Sequence, residues 1–330
     1  MSHNTALVGT AHIHTPNFVK RLQTRQDVKV SYVWDHDIPR AEKNAEALGA
    51  KVSDLRSIWQ DETVASVIIC SETHLHKDLV LAACQAKKHL FVEKPLGFKA
   101  EEALAMAKAV EAADLTFQTG YFNRSSPIYQ FLKQHIEQGT FGKITRARHM
   151  NCHQGALAGW FDTDWRWMTD PKQAGVGAFG DLGAHSLDLL IWFFGPVAKV
   201  VGHVDTAINR YSCDEYGEAL IQFDNGVLAS LAAGWVDLAN PVSFMLSGTE
   251  GHAYVMGRDK LFIKCPKLTG TEEEVLWQDL PQELPHAFEL FFDALVKPST
   301  KVPLISVGEA AYSSAVMERI YQSVEVGGWR

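Results

Sequence analysis

The sequence predicts an α/β chain in two parts: a doubly wound parallel sheet, then a domain on a mostly antiparallel sheet. Three observations lead there. Over the first third, short apolar runs alternate with longer amphipathic ones. Beyond residue 123, strand-like segments follow one another across short turns. And 330 residues is long for one compact core.

The runs "ALVG", "KVSYVWD", "VASVIICS", "HLFVEKP" and "LTFQTGYF" are short and rich in Val, Ile and Phe. Strands so nearly continuous in apolar residues belong to a parallel sheet buried on both faces. Helical patterns at 17–24, 38–48, 77–86 and 100–112 supply the crossovers. Such right-handed connections put ligands at the carboxyl ends of the strands. This unit is assigned to residues 1–123 and the second to 124–330. The second opens with a helix over 127–138 and an alternating strand in "GKITRARHMNCH". Further strands are read at 199–206, 216–223, 227–235, 242–247 and 252–256, with "DNG" and "GTEG" as turns. One helix at about 181–194 leads into this sheet, and the amphipathic "VGEAAYSSAVMERIYQSVEVG" closes the chain.

Composition narrows the function. The chain is 46% hydrophobic and 21% charged, with 31 basic against 39 acidic residues and a net charge of −8. That is an ordinary soluble composition without a basic stripe, so neither nucleic acid nor an anionic membrane is an expected partner. No apolar run is long enough to span a bilayer, and "MSHNTALVGT" lacks a secretory layout. Five scattered cysteines without C-x-x-C read as reduced thiols in a cytoplasmic protein, with Cys70 and Cys84 buried.

"LVGTAHIHTPNF" is a degraded phosphate-binding turn. Gly9 stands where the first glycine of G-x-G-x-x-G belongs, but Ala11 and His14 replace the second and third. Thr15 and Pro16 suit a helix cap and first turn, so the helix is expected to start at Pro16 and leave His14 in the loop. Ala11 then adds one methyl to the phosphate approach, and His12 or His14 can donate to a phosphate or reach the nicotinamide side. A second H-x-H, His74 and His76, lies in "THLHK", but without a Cys partner or H-E-x-x-H no metal site is expected. Asp35 ends the second strand, 26 residues after Gly9, placed to accept from adenosine ribose hydroxyls and to repel a 2′-phosphate. His36 and Asp37 offer no adjacent arginine, so NAD fits better than NADP.

Together, "SETHLHKDLVLAACQAKKH", "HLFVEKPLG" and "GVGAFGDLGAHSLDLLIWFFG" closely resemble the glucose–fructose oxidoreductase/inositol dehydrogenase (Gfo/Idh/MocA) family. "GYFNR", "DNGVLASL" and "SGTEG" extend the resemblance over nearly the whole chain. It implies a Rossmann domain followed by an α/β domain with a large open sheet. It also implies that Lys94 is the catalytic lysine, Asp181 the substrate-site aspartate and His185 the catalytic histidine. Cofactor contacts are implied for Gly9, Ala11, His12, Ile13, Asp35, Ser71, Thr73, His76, Glu93 and Lys94. Arg124 and Arg166 fall near the implied substrate cleft, where surface ion pairs are the alternative role. Trp160, Trp165 and Trp167 crowd one loop, as sugar-packing aromatics or as core.

The spacing has a physical sense. Asp181 and His185 are i, i+4 and share one face of a helix, while Lys94 sits at a strand's carboxyl end. A secondary alcohol gives a hydride to nicotinamide while its hydroxyl loses a proton. An imidazole of ordinary pKa takes that proton near neutral pH, with Lys94 stabilising the alkoxide; Lys94 as the proton-transfer group is the alternative. The expected activity is an NAD(P)-dependent oxidoreductase for a sugar, polyol or inositol-like alcohol. Two rivals are a glycoside hydrolase acting by transient oxidation and a non-catalytic sugar or cofactor sensor. The open sheet is the expected face for a homodimer or homotetramer.

Overall fold

The computed structural model describes residues 2–297, 299 and 302–330. Its first sheet has six parallel strands: β1 (His3–Val8), β2 (Val28–Trp34), β3 (Lys51–Val52), β4 (Ser66–Ile69), β5 (His89–Val92) and β6 (Phe117–Thr119). Their spatial order is β3-β2-β1-β4-β5-β6. The winding reverses between β1 and β4, which opens a crevice at their carboxyl ends. The crossovers carry α1 (Thr15–Thr24), α2 (Ile38–Leu48), α3 (Leu55–Gln60), α4 (His76–Gln85) and α5 (Ala100–Ala112). Asp37 caps α2 by accepting from the Arg40 N–H, and Gly49 ends it in the left-handed conformation.

After α6 (Pro127–Glu137) comes β7 (Ile144–Cys152), then the short α7 (Pro171–Ala174) and the long α8 (Ala178–Phe194). Seven further strands complete the second sheet: β8 (Val197–Asp205), β9 (Tyr216–Phe223), β10 (Leu228–Gly234), β11 (Val242–Gly248), β12 (His252–Met256), β13 (Lys260–Lys264) and β14 (Val275–Trp277). Their order is β14-β13-β12-β11-β7-β10-β9-β8. Among the described residues its pairings are antiparallel except β7 with β10. In β9, Ala219, Ile221 and Phe223 turn inward and Tyr216, Glu218 and Leu220 outward. The period of two makes one face of the sheet core and leaves the other open. Most of α8 is apolar and buried, because it lies between this sheet and the rest of the molecule.

Two helices close the chain, α9 (Ala287–Val296) and α10 (Val307–Val326). Sequence placed residues 124–330 in the second unit, yet α9 returns to the first. Phe288, Phe291 and Phe292 share a core cluster with Phe18 and Phe91, and Phe18 stacks on Phe288 at 4.3 Å. The first turn of α10 does likewise through Val307, Ala310 and Ala311, while Val316, Met317 and Ile320 join the core of the second sheet. The two sheets are therefore riveted together at a shared seam.

One local expectation is corrected. α1 begins at Thr15, not Pro16, with His14 as its N-cap residue. The His14 carbonyl accepts from the N–H groups of Asn17 and Phe18, so the first turn closes one residue early. Thr15, assigned as the cap, is inside the helix with its Oγ1 buried and unpartnered. Among the described residues no helix is long and apolar enough to cross a membrane.

Candidate active site

The crevice between β1 and β4 is lined first by the glycine turn. Gly9 has φ +79°, and a Cβ there would lie 2.5 Å from the Ser71 side chain. Only glycine permits that conformation and that approach of the turn to the end of β4. Ser71 is buried and donates to the Glu72 carbonyl, so it forms the floor of the turn. The turn's own amides are largely spent: Gly9 N–H goes to Trp34, His12 N–H to Cys70 and Thr10 N–H to Asp35. Among the described residues the N–H groups of Ala11 and Ile13 have no acceptor. Two such amides at the start of a helix are what a pyrophosphate requires. The residues present fit a dinucleotide at this end.

Asp35 lies at the end of β2 as expected, but it is not free. Both Thr10 donors, the Asp37 N–H and the Arg40 guanidinium bind its carboxylate, with Arg40 Nη2 at 2.6 Å. Arg40 also reaches Glu72 at 3.0 Å. Burial opposes the Asp35 charge, but Arg40 and these N–H and O–H donors outweigh it, and its pKa falls below the ordinary value. The sequence reading sought an arginine beside Asp35 and found none. It missed that α2 brings Arg40, five positions on, back over the same carboxylate.

At the far side of the crevice, β5 ends in Glu93 and Lys94. Lys94 Nζ binds Asp181 Oδ1 at 2.6 Å and the Asp181 carbonyl at 3.1 Å. Trp235 Nε1 donates to the other carboxylate oxygen at 3.2 Å. Burial would raise the Asp181 pKa, but the Lys94 ammonium dominates and takes it down to about 2. His185, one turn along α8, lies against Phe122 with ring centroids 4.8 Å apart. Its Nδ1 is buried without a partner. Burial first, then the Lys94 charge, push its pKa well below the ordinary imidazole value. The expectation of an imidazole of ordinary pKa is thereby corrected: burial and the Lys94 charge favour the neutral form of His185.

The remaining candidates separate. Thr73 lines a small hollow with His12, Lys94, Pro95, Trp167 and Asp181. His76 is fully buried and its Nδ1 faces the carbonyls of Pro95 and Leu96, at 3.2 and 3.3 Å. It braces the loop after Lys94 rather than the crevice. Arg124 is a structural latch: its guanidinium binds both oxygens of Asp188 and also Glu309, on α10. Burial drives Asp188 up to about 6 even with Arg124 beside it. Arg166 is exposed, paired with Asp162 at 2.8 Å and lying over Tyr211. Neither arginine reaches the Lys94–Asp181 pair.

Trp167, one of the three tryptophans read as sugar-packing or core, lies in a 3₁₀ turn (Arg166–Thr169) before α7. Its Nε1 donates to the Ala11 carbonyl at 3.0 Å, so the indole rests on the glycine turn and narrows the place beside Lys94. A larger cleft of about 850 Å³ opens on the other side of Phe122, lined by Asn123, His149, Asn151, Arg258 and His286. His149 donates to or accepts from Ser186 at 2.7 Å, and burial lowers its pKa to about 3.

The chain matches known protein families. Residues 3–121 match the oxidoreductase family with the NAD-binding Rossmann fold, and residues 129–254 match the GFO/IDH/MocA C-terminal domain. The chain belongs to the Gfo/Idh/MocA oxidoreductase family. Scyllo-inositol 2-dehydrogenase (NAD(+)) of Bacillus subtilis is 28% identical over 74% of this chain and 70% of its own length. Levoglucosan dehydrogenase of Pseudarthrobacter phenanthrenivorans is 28% identical over 60% of this chain, a match spanning 57% of that protein. A solved levoglucosan dehydrogenase, in complex with NADH and levoglucosan, superposes with a TM-score of 0.85 at 22% identity, covering 100% and 99% of the two chains. As a Gfo/Idh/MocA member, the chain carries an NAD-binding Rossmann domain and an eight-stranded second sheet.

Proposed function

We propose that the chain is an NAD-dependent dehydrogenase or reductase for a sugar, polyol or inositol-like alcohol. The observation that carries this reading is the Lys94–Asp181 pair at 2.6 Å with a neutral, unpartnered His185 beside it. A non-catalytic sensor has no use for buried proton-handling capacity of that kind.

Gly9, Ala11 and Ile13 would hold NAD along the crevice, with Asp35 shaping the turn at its adenosine end and Thr73 at its far end. The cofactor supplies the hydride acceptor. Lys94 uses two of its three N–H donors on Asp181, which leaves one for the reacting oxygen of the substrate. Asp181 holds Lys94 in place, so the alkoxide meets a preorganised cation. His185 receives the hydroxyl proton on an imidazole that is neutral beforehand. The cleft beyond Phe122, with Asn151, Arg258 and His149, suits a hydroxyl-rich ligand. The inositol and levoglucosan dehydrogenases among the relatives support that substrate class.

The open face of the second sheet, with Leu220, Leu228 and Met256 exposed, is the surface proposed to join two or four copies. Five free, buried cysteines accord with a cytoplasmic location. The test is to follow reduced-nicotinamide absorbance with NAD⁺ and a panel of inositols, anhydrosugars and linear polyols. Turnover of at least one supports the reading. Measurable NAD⁺ binding with no turnover across the panel returns the chain to the sensor class.

A further inference from the structure

The two residues that spoil the glycine fingerprint come to one place. His12 and His14, from the turn, converge on Glu93, at the end of β5. His14 Nδ1 lies 3.1 Å from Glu93 Oε1, and His12 Nε2 lies 3.9 Å from Oε2. One ligand-type atom from each residue lies within 4.8 Å of the other two. Ligands about 2.0–2.2 Å from a tetrahedral ion stand roughly 3.3–3.5 Å apart. The His14–Glu93 spacing nearly meets that requirement, and the His12–Glu93 spacing is about half an ångström too wide.

Charge points the same way. Glu93 is fully buried. Lys94 is the neighbouring cation, and its ammonium is bound to Asp181. The only donors to Glu93 among the described residues are the Lys94 N–H at 2.9 Å and His14. Beside the group lies His185, whose ring centroid is 6.2 Å from that of His14 and whose Nδ1 is buried and unpartnered.

We propose that His12, His14 and Glu93 form a binding site for a divalent transition-metal ion. Two imidazoles and one carboxylate are the donor set of catalytic zinc and non-haem ferrous sites, which keep open positions for water or substrate. Ligation through His12 Nε2 places that ring's proton on Nδ1 and releases the 3.2 Å contact from the His14 N–H. In return the ion supplies the counter-charge that Glu93 lacks. The site joins the glycine turn to the end of β5, next to Lys94, and its existence does not depend on the proposed dehydrogenase activity.

The test is Co²⁺ binding by the chelator-treated full-length chain, read by visible absorption and by metal analysis after gel filtration. One Co²⁺ per chain is expected, with ligand-field bands in the visible. His14→Ala and Glu93→Gln are each expected to weaken binding about 10²-fold or more, since loss of even outer partners costs 10–100-fold. His14 is partly exposed, so its variant tests the site without opening the core. His74→Ala, on the second H-x-H, is expected to bind as the wild type does. Failure of the wild type to retain Co²⁺ would overturn the proposal, leaving a proton on His14 as the partner of Glu93. So would equal affinity in His14→Ala. Neither readout requires turnover, so neither outcome depends on the substrate.

Discussion

Two carboxylate–cation pairs stand at opposite ends of the same crevice, and they are built differently. At the adenosine end, Asp35 receives five hydrogen bonds, from Thr10 N and Oγ1, Asp37 N and two Arg40 nitrogens. At the reacting end, Asp181 receives Lys94 on one oxygen and Trp235 on the other, while a Lys94 donor and His185 Nδ1 are left over. The first pair is saturated and holds the turn in shape. The second keeps hydrogen-bonding capacity in a place where water is excluded, which is costly for a merely structural site. That contrast separates scaffold from chemistry more sharply than burial does, because all four charged side chains are largely buried.

The largest effect is expected from breaking the second pair. Asp181→Asn removes the carboxylate that binds the buried Lys94 ammonium, a change that costs about 3–5 kcal/mol of stability. A denaturation midpoint unchanged from wild type would mean that water reaches Lys94. The pH dependence has a definite sign. The folded pKa of Asp181 is lowered from 3.8 to about 2, so its contribution is complete above the unfolded value. It is lost as pH falls from about 4 to about 2. Wild type should therefore lose more stability over that window than Asp181→Asn does.

Arg40→Ala tests the first pair. Arg40 cancels part of the repulsion between Asp35 and a 2′-phosphate, so removing it should raise the ratio of kcat/KM for NAD over NADP. About tenfold is expected, for roughly 1.4 kcal/mol of lost compensation. A fall in that ratio would show that the Asp35 carboxylate does not set cofactor choice. A smaller change, about fivefold, is expected from Trp167→Phe. It removes one hydrogen bond to the Ala11 carbonyl, worth about 1 kcal/mol, and should tighten NAD⁺ binding by fluorescence or calorimetry. Weaker binding would mean that the indole contacts the cofactor instead of covering its place.

Much of this was legible in the sequence, and the exceptions have physical causes. The helices at 38–48 and 100–112 and the strands at 216–223 and 252–256 were read with the bounds observed, because period and end signals agree there. Helix α9 was missed because "AFELFFDALV" is mostly apolar; its polar stripe is only Glu289 and Asp293, four apart, which pair with Arg25. Strands β13 and β14 end the sheet among charged residues and turn signals. In the site, Lys94, Asp181 and His185 came from two motifs in register, and the structure brings Lys94 and Asp181 together with His185 close by. Arg40 lies only five residues from Asp35 but beyond the two neighbours inspected for a basic group. The meeting of His12 and His14 with Glu93 was not readable, because it joins segments 79 residues apart for His14 and Glu93 that no local pattern records. For Arg124 the ion-pair alternative is the one the structure displays, with Asp188 and Glu309 as its two acidic partners.

The central claim is that the Lys94–Asp181 pair and His185 form the reacting end. It is tested most directly by single-turnover hydride transfer with NAD⁺ prebound, using the best substrate of the panel, in wild type, Lys94→Ala and His185→Ala across pH. In wild type the rate should be level through neutrality and fall only in acid, because burial and the Lys94 charge keep His185 neutral there. Each variant should lose about 10²–10⁴ in rate, while NAD⁺ affinity stays within a few-fold. A wild-type rate in either variant, or an inflection near 6.5 that disappears in His185→Ala, would contradict the account.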